Sequence, residues 1–489
     1  MKQLQIAKNN RYFEYKDGTP FIWIADTAWT MPQRLKWDDV DYYMQKRKEQ
    51  GFTVLQIVAL DPERDVQMHN PAGVKALLQD DILFPNEQYF AYLDWILDKA
   101  EEYGFYVLLL PVWGQLVVGD NWVGKTFDKT VTEENSYEYG CWIGNRYKNR
   151  DNILWCLGGD RQPIHKGIDY KNVWRRMAEG LAKGITGLDL KYNEPSKVWR
   201  ELMITYHACH EAETGECSTM SYWTEEEAWI SYIMLQSGHG LAPKNYELVK
   251  KEYDRSIVMP VWDGEPAYEM MPTTWPVIKE FHDHWIVRKR AYWSLFAGSF
   301  GHTYGHASVW CMIAEKEKNQ FTKYTWFEAL ECPGAWNMKI LRDFLESRDI
   351  SSCVPAQEML LMQQEKQDIP MDEHAQACRQ EDGDFACIYF PSGGKEKINV
   401  SNLKGHTFHI WWFNPRDGKC YTQDNVITEA PKKVENCANE IEVASPTKGA
   451  STDWVLVIEV PMLEASAPGQ AKIYGSAVKE EKFNKVFDW

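Results

Sequence analysis

Four apolar segments in the first third of the chain constrain the fold more than any other feature. They are FIWIA (21–25), TVLQIVAL (53–60), FYVLLLPVW (105–113) and NILWCLGG (152–159). None alternates polar with apolar residues. A strand that is apolar throughout is covered on both faces, as in a parallel sheet flanked by helices. Helical patterns lie between them. KWDDVDYYMQKRKEQGF puts Val40, Tyr43, Met44 and Arg47 at three-to-four spacing and stops at Gly51. NEQYFAYLDWILDKAEEYG (86–104) stops at Gly104, and SYEYGCWIGNRYKNR (136–150) follows. Four more strands are expected in LMITYH (202–207), YIMLQSGH (232–239), IVMPVWDGE (257–265) and AGSFGHTYG (297–305), the last preceded by the helix HDHWIVRKRAYWSLFAG. Eight strand candidates by about residue 305, with the strand–helix–strand unit repeating among the first of them, predict an α/β fold, a closed (β/α)8 TIM barrel.

Beyond about residue 350 the pattern changes. DFACIYFPSGGKEKINVSN, TFHIWWFNPRDGKCY and DWVLVIEV are short strands broken by Gly, Pro, Asn and Asp. They predict a small antiparallel all-β sandwich. The expected domains are 1–354, a barrel, and 355–489, the sandwich. The chain between them is not rich in Gly or Ser, so tight packing is expected.

Charge and cysteines narrow the function. With 54 Lys+Arg against 71 Asp+Glu the net charge is −17, which repels phosphate backbones and argues against nucleic acid. The longest apolar runs are too short to span a bilayer. The 11 cysteines are odd in number, scattered, and contain no C-x-x-C pair. That usage fits buried thiols in a reducing compartment. The start MKQLQIAKNNRYFEY lacks the apolar core of a signal peptide, so a cytoplasmic protein is expected.

In a barrel of this kind the working groups stand at the carboxyl ends of the strands. There the sequence offers Asp26 and Trp29, Gln56, Trp113, then Asp160 and Arg161 after two glycines. Later segments offer His207, Gln236, His239, Glu265, Tyr268, His302 and Tyr304, and Trp223 is a further aromatic candidate. Acids, amides, imidazoles and aromatics at one rim suit an oligosaccharide. Acetal hydrolysis requires a proton for the leaving oxygen and a carboxylate facing the developing oxocarbenium ion. Asp160 and Glu265 are the candidates. Asp26, Gln56, His207, Gln236 and His239 are expected to hold hydroxyls, and Trp29, Trp113 or Trp223 to stack on sugar rings. HACH (207–210) and HDH (282–284) superficially resemble metal pairs, but neither has a zinc-type acid cluster, so no metal or other cofactor is expected. No G-x-S-x-G elbow is present. The competing reading is a catalytically inactive carbohydrate-binding barrel. A homo-oligomer is left open.

PFIWIADTAWTMPQRLKWDDVDYYMQKRKEQGFTVLQIVAL, with GGDR, LQSGH, DGEPAYE and GHTYGHASVW, resembles the apiosidase-like glycoside hydrolases, family 140 and its relatives. The tail YFPSGGKEKINVSN…HIWWFNPRDGK is similar to the domain usually appended there, labelled collagen-binding. The resemblance implies a retaining barrel glycosidase acting on apiose linkages of pectin side chains. It implies Asp160 of GGDR as acid/base on strand four and Glu265 of DGEP as nucleophile on strand seven. Many barrels of that clan place Glu after Asn on strand four, and here the residue is the shorter Asp160.

Overall fold

The computed structural model describes residues 1–470 except 64–66, 121–123, 241–242, 275–276 and 462–465. Residues 471–489, the last part of the expected C-terminal domain, lie outside the described residues.

Eight parallel strands form the barrel: β1 Trp23–Thr27, β2 Val54–Val58, β3 Tyr106–Leu110, β4 Ile153–Gly158, β5 Ile204–His207, β6 Ile233–Leu235, β7 Val261–Asp263 and β8 Gly301–Tyr304. Neighbours in sequence are neighbours in space, and β8 pairs with β1. The seam between β5 and β6 has no regular ladder. It is held by Ser231 N donating to Ile204 O at 2.8 Å and Thr205 Oγ1 donating to Tyr232 O at 2.6 Å. The main helices outside are α1 Trp37–Glu49, α2 Glu87–Tyr103, α3 Ser136–Tyr147, α4 Lys171–Thr186, α5 Lys197–Leu202, α6 Asn245–Tyr253, α7 His284–Phe296 and α8 Pro333–Glu346. α2 begins at Asn86, whose side chain accepts from Gln88 N, and ends at Gly104 in the left-handed region, as the sequence signals predict.

Strand pleating divides each apolar run between two cores. Trp23, Ala25, Val54, Val58, Leu108, Leu154, Cys156, Met234 and Trp262 fill the barrel. Ile24, Leu55, Ile57, Val107, Leu109, Trp155, Tyr206 and Val261 face the helices. Gln56 is the polar member inside. Its Nε2 donates to Gly264 O at 3.1 Å, and its Oε1 accepts from Thr303 Oγ1 at 3.2 Å. That ties β2 to the β7 end and to β8.

The C-terminal domain is antiparallel. Strands β9 Cys353–Pro355, β10 Gln376–Gln380, β11 Phe385–Phe390, β13 Phe408–Asn414, β14 Lys419–Tyr421, β15 Lys432–Val434 and β17 Trp454–Glu459 make one sheet. β12 Lys395–Asn399 and β16 Glu440–Ala444 make a second. Trp412, Trp454, Leu456, Ile398 and Ile441 fill the space between them. The opposite face of the large sheet, with Tyr389, Phe413, Val455 and Val457, shares a core with Tyr292 and Phe344 of the barrel helices. The WWF run therefore splits, with Trp412 in the sandwich and its neighbours toward the barrel.

Buried ion pairs cross the junction. Arg288 Nε and Nη2 each lie 2.7 Å from an oxygen of Asp453, and Arg348 Nε lies 2.8 Å from Glu459 Oε2. Removing one partner of such a pair costs about 3–5 kcal/mol because the other charge stays buried. Residues 355–489 alone would expose the apolar face and strand Asp453. We expect that fragment to be insoluble, while the whole chain melts in one transition by calorimetry. A soluble, folded fragment would show that the domains are independent.

Candidate active site

The site is built at the ends of β4, β5, β6 and β7. After β4 the backbone turns through three successive left-handed residues: Gly158 (φ 88°), Gly159 (φ 111°) and Asp160 (φ 53°). A Cβ on Gly158 would lie 2.5 Å from His207 O, and one on Gly159 would lie 2.7 Å from the Trp113 ring. Only glycine fits those two positions. Asp is among the few side chains that tolerate the third. The turn aims the Asp160 amide at the imidazole of His207 on β5, and N donates to Nδ1 at 3.1 Å.

That contact fixes the ring. A backbone N–H can only donate, so Nδ1 carries a lone pair and the ring proton sits on Nε2. Nε2 faces Glu265 Oε2 at 2.8 Å. Glu265 follows Asp263–Gly264 at the end of β7, and its other oxygen is 3.3 Å from His239 Nε2. His207 thus joins the backbone of one acid to the side chain of the other. Asp160 Oδ1 accepts from Gln236 Nε2 at 2.7 Å, and Gln236 in turn accepts from His210 N.

The two carboxyls are driven apart in acidity. Burial and then the Glu265 charge raise the Asp160 pKa above the ordinary range. Burial also opposes charge on Glu265, but hydrogen bonding from His207 and His239 more than offsets it and holds that carboxyl well below the ordinary range. Burial opposes charge on His207 too, and Glu265 outweighs it, raising its pKa. A second proton would have to occupy Nδ1, which the Asp160 amide already fills.

Both acids line one cavity of about 850 Å3, within the range of roughly 300–1,000 Å3 usual for ligand sites. Trp29, Trp113, Gln236, His239 and Tyr268 line it as well. Trp29 and Trp113 stand 5.3 Å apart, each 5.4 Å from the His207 ring. Glu63, Cys209, His210, Met271, Thr273, Thr274 and Trp310 also line it and were not among the expected residues. Trp310 closes the quoted block GHTYGHASVW, so a signal for it was present. Cys209 and His210 belong to the HACH block, which the sequence offers only as a metal-like pair, and the remaining four lie on loops without pattern.

Several expected contacts are elsewhere. Asp26 faces the helices, paired with Arg47 of α1 at 2.6 Å and fully buried. Tyr304 also points outward and donates to Glu269 at 2.6 Å. His302, two residues before Tyr304 and opposite Ile24, shares that outward parity and is fully buried, with burial depressing its pKa to about 3. Trp223 packs against Tyr206 and Trp229, each at 5.3 Å, behind β5. Arg161 turns to Asp120, with Nε 3.4 Å from Oδ1. Gln56 is inside the barrel but below the mouth. Each of these is a structural contact instead of a cavity wall. Among the described residues, no group of three or more His, Cys, Asp or Glu side chains is placed to hold a metal ion. No helix among them is long and apolar enough to cross a membrane.

Comparison with known proteins follows the same division. A model described as "Apiosidase-like, catalytic domain" matches residues 7–352, and one described as "Putative collagen-binding domain of a collagenase" matches residues 354–459. No curated protein matches the chain. A solved structure described as a glycoside hydrolase family 5 protein from Bacteroides vulgatus ATCC 8482 is 25% identical, with TM-score 0.76, covering 94% of this chain and 93% of its own. Another, described as a glycoside hydrolase, is 25% identical with TM-score 0.77, covering 94% and 97%. A glycosidase barrel with its sandwich attached is thus matched over almost the whole chain, and the chain belongs to the apiosidase-like family.

Proposed function

We propose that residues 1–354 are the catalytic domain of a retaining glycosidase that acts on short, plant-derived pectic oligosaccharides, with Glu265 as nucleophile and Asp160 as acid/base. The observation that carries this reading is the pair itself. Two carboxyls share one cavity, bridged through His207, with acidities displaced in opposite directions. Such divergence separates an acid from a nucleophile.

In the first step the ionised Glu265 attacks the anomeric carbon while protonated Asp160 gives its proton to the departing glycosidic oxygen. The glycosyl ester that forms has no charge on Glu265. The charge that raised the Asp160 pKa is then gone, so the same residue becomes an acceptor for the proton of the incoming water. Water attack on the anomeric carbon releases the sugar and restores the Glu265 carboxylate. Trp113 and Trp29 supply flat apolar faces for the ring, and Gln236 holds the Asp160 carboxyl in place. Apiosidase-like family membership supports the pectic substrate, and the 11 unpaired cysteines support a reducing, cytoplasmic setting.

Proton NMR of the first-formed sugar is the direct test. Net retention of anomeric configuration is expected, and inversion would overturn the two-step scheme. The pH profile of kcat/KM adds a second reading. Activity requires Glu265 ionised and Asp160 protonated, so it should fall at high pH with the raised pKa of Asp160 and at low pH with the depressed one of Glu265. In Glu265→Gln the charge that raises Asp160 is absent, and carboxyl-carbon NMR should show Asp160 titrating at lower pH. An unmoved Asp160 would mean that the two groups do not interact.

A further inference from the structure

We propose that the outer wall of the barrel carries a second carbohydrate site, centred on Trp37, that takes a neutral oligosaccharide chain. It shares no residue with the catalytic cavity. A cleft of about 450 Å3 runs between α1 and α2, lined by Trp37, Asp38, Asp41, Tyr42, Gln45 and Trp95. Trp37 is 52% exposed, yet it is not loose. Its ring stands edge-on to Trp95 at 4.2 Å and to Tyr92 at 4.8 Å, and Tyr92 is itself anchored by its hydroxyl to Leu35 O. An exposed aromatic ring held still offers contact area at little cost in lost side-chain freedom.

Polar groups sit where hydroxyls of a stacked sugar would reach. Asp38 and Tyr42 are four residues apart on one face of α1. Among the described residues, neither the Asp38 carboxylate nor the Tyr42 hydroxyl makes a hydrogen bond or ion pair with the protein. Lys99 is already engaged, 3.4 Å from Asp41 and 2.9 Å from Glu102. The uncompensated charge in the cleft is therefore negative, which disfavours uronates and phosphates and leaves neutral sugars. A mixed lining of aromatic faces and a few polar groups is that of a small-ligand site.

A protein partner fits less well. Trp37 and nearby Phe327, which stacks with Tyr42 and is also 52% exposed, offer together on the order of 200 Å2. A stable protein pair buries roughly 800 Å2 on each side. α1 also runs antiparallel to β1, so its first turns lie toward the barrel end that bears the catalytic mouth. A chain held there would leave that mouth open.

The test uses the full chain as Glu265→Gln, to suppress hydrolysis, in native gels containing xyloglucan, glucomannan, arabinan or galactan, with polygalacturonate as the acidic comparison. We expect at least one neutral polymer to retard the protein. Trp37→Ala should weaken that binding roughly tenfold or more, Asp38→Ala should weaken it less, and Trp37→Phe should retain part of it. In the otherwise unaltered enzyme, Trp37→Ala should leave hydrolysis of small aryl glycosides unchanged. Asp38→Ala, a change at an exposed residue, serves if Trp37→Ala proves unstable. The proposal is overturned if no neutral polymer retards the protein, if retardation survives Trp37→Ala and Asp38→Ala, or if polygalacturonate alone depends on Trp37. Loss of a dimer in Trp37→Ala by light scattering would also overturn it, by identifying a protein contact.

Discussion

Glu265→Gln is expected to lower kcat/KM on an activated aryl glycoside by roughly four decades, equivalent to ~5.5 kcal/mol of transition-state stabilisation. The amide keeps the size of the side chain and its place beside His207 and His239 but cannot form the glycosyl ester. Asp160→Asn should behave differently, and the difference identifies the roles. A leaving group that needs no proton, such as dinitrophenolate, should still depart at a near-normal rate. The ester on Glu265 would then accumulate because nothing deprotonates the incoming water. Azide, a nucleophile that carries no proton, should restore turnover and yield a glycosyl azide of retained configuration. For a poor leaving group the loss should be about 10²–10⁴-fold, the usual contribution of general acid–base catalysis. Mass spectrometry of the stalled Asp160→Asn enzyme should place the added sugar mass on the peptide containing Glu265. Unchanged turnover in both variants would end the assignment, as would sugar found on another carboxylate.

The parts of this site that could be read from sequence lie just beyond strand ends; the lining residues that could not be read lie on loops, and several residues expected in the site lie within strands and face away from it. Asp160 and Glu265 follow glycines that break the apolar runs, so their placement at the rim follows from chain geometry. Trp29 and Trp113, past the ends of β1 and β3, were legible in the same way. Asp26, His302 and Tyr304 are strand residues, and which way they face is not legible in the sequence for a definite physical cause. In an antiparallel sheet with one wet face, polarity marks which side each residue faces. In a barrel both faces are buried, so the alternation carries no polar signal. Thr27 and Thr303 point inward, while Asp26, His302 and Tyr304 point outward among helices. A shift of one residue moves every side chain to the other face. Trp223 has a different cause, since an aromatic-rich loop packs on the back of β5 as readily as on a ligand. His207 was expected to bind sugar. The structure gives it another place, between the two acids, and that depends on the left-handed turn at 158–160, which sequence hints at only through its two glycines.

Asp26→Ala is expected to destabilise the protein by about 3–5 kcal/mol in denaturant titration while leaving the folded enzyme's chemistry largely intact. Asp26 accepts from Arg47 Nε at 2.6 Å and from the Tyr43 hydroxyl, and all three side chains are fully buried. Arg47 extends the link, with Nη1 donating to Gln50 Oε1 at 2.6 Å and Gln50 Nε2 donating to Leu330 O at 2.6 Å. One strand is thereby fastened to its helix and to the segment ahead of α8. Burial raises the Asp26 pKa and the Arg47 charge opposes that rise, so the pair's value lies in matching one buried charge with another. Removing the carboxylate leaves a guanidinium that cannot shed its proton among the rings of Phe52, Tyr43 and Tyr304, 5.0 to 5.5 Å away. If the loss comes from that stranded charge, then Asp26→Leu combined with Arg47→Met should recover most of it, because two apolar side chains can replace a buried pair at little cost. The DTAW block would then combine two tasks within four residues, Asp26 locking strand to helix and Trp29 walling the cavity. The opposite result, an Asp26→Ala enzyme as stable as the parent but without activity, would place Asp26 in the site after all and refute the outward parity of β1.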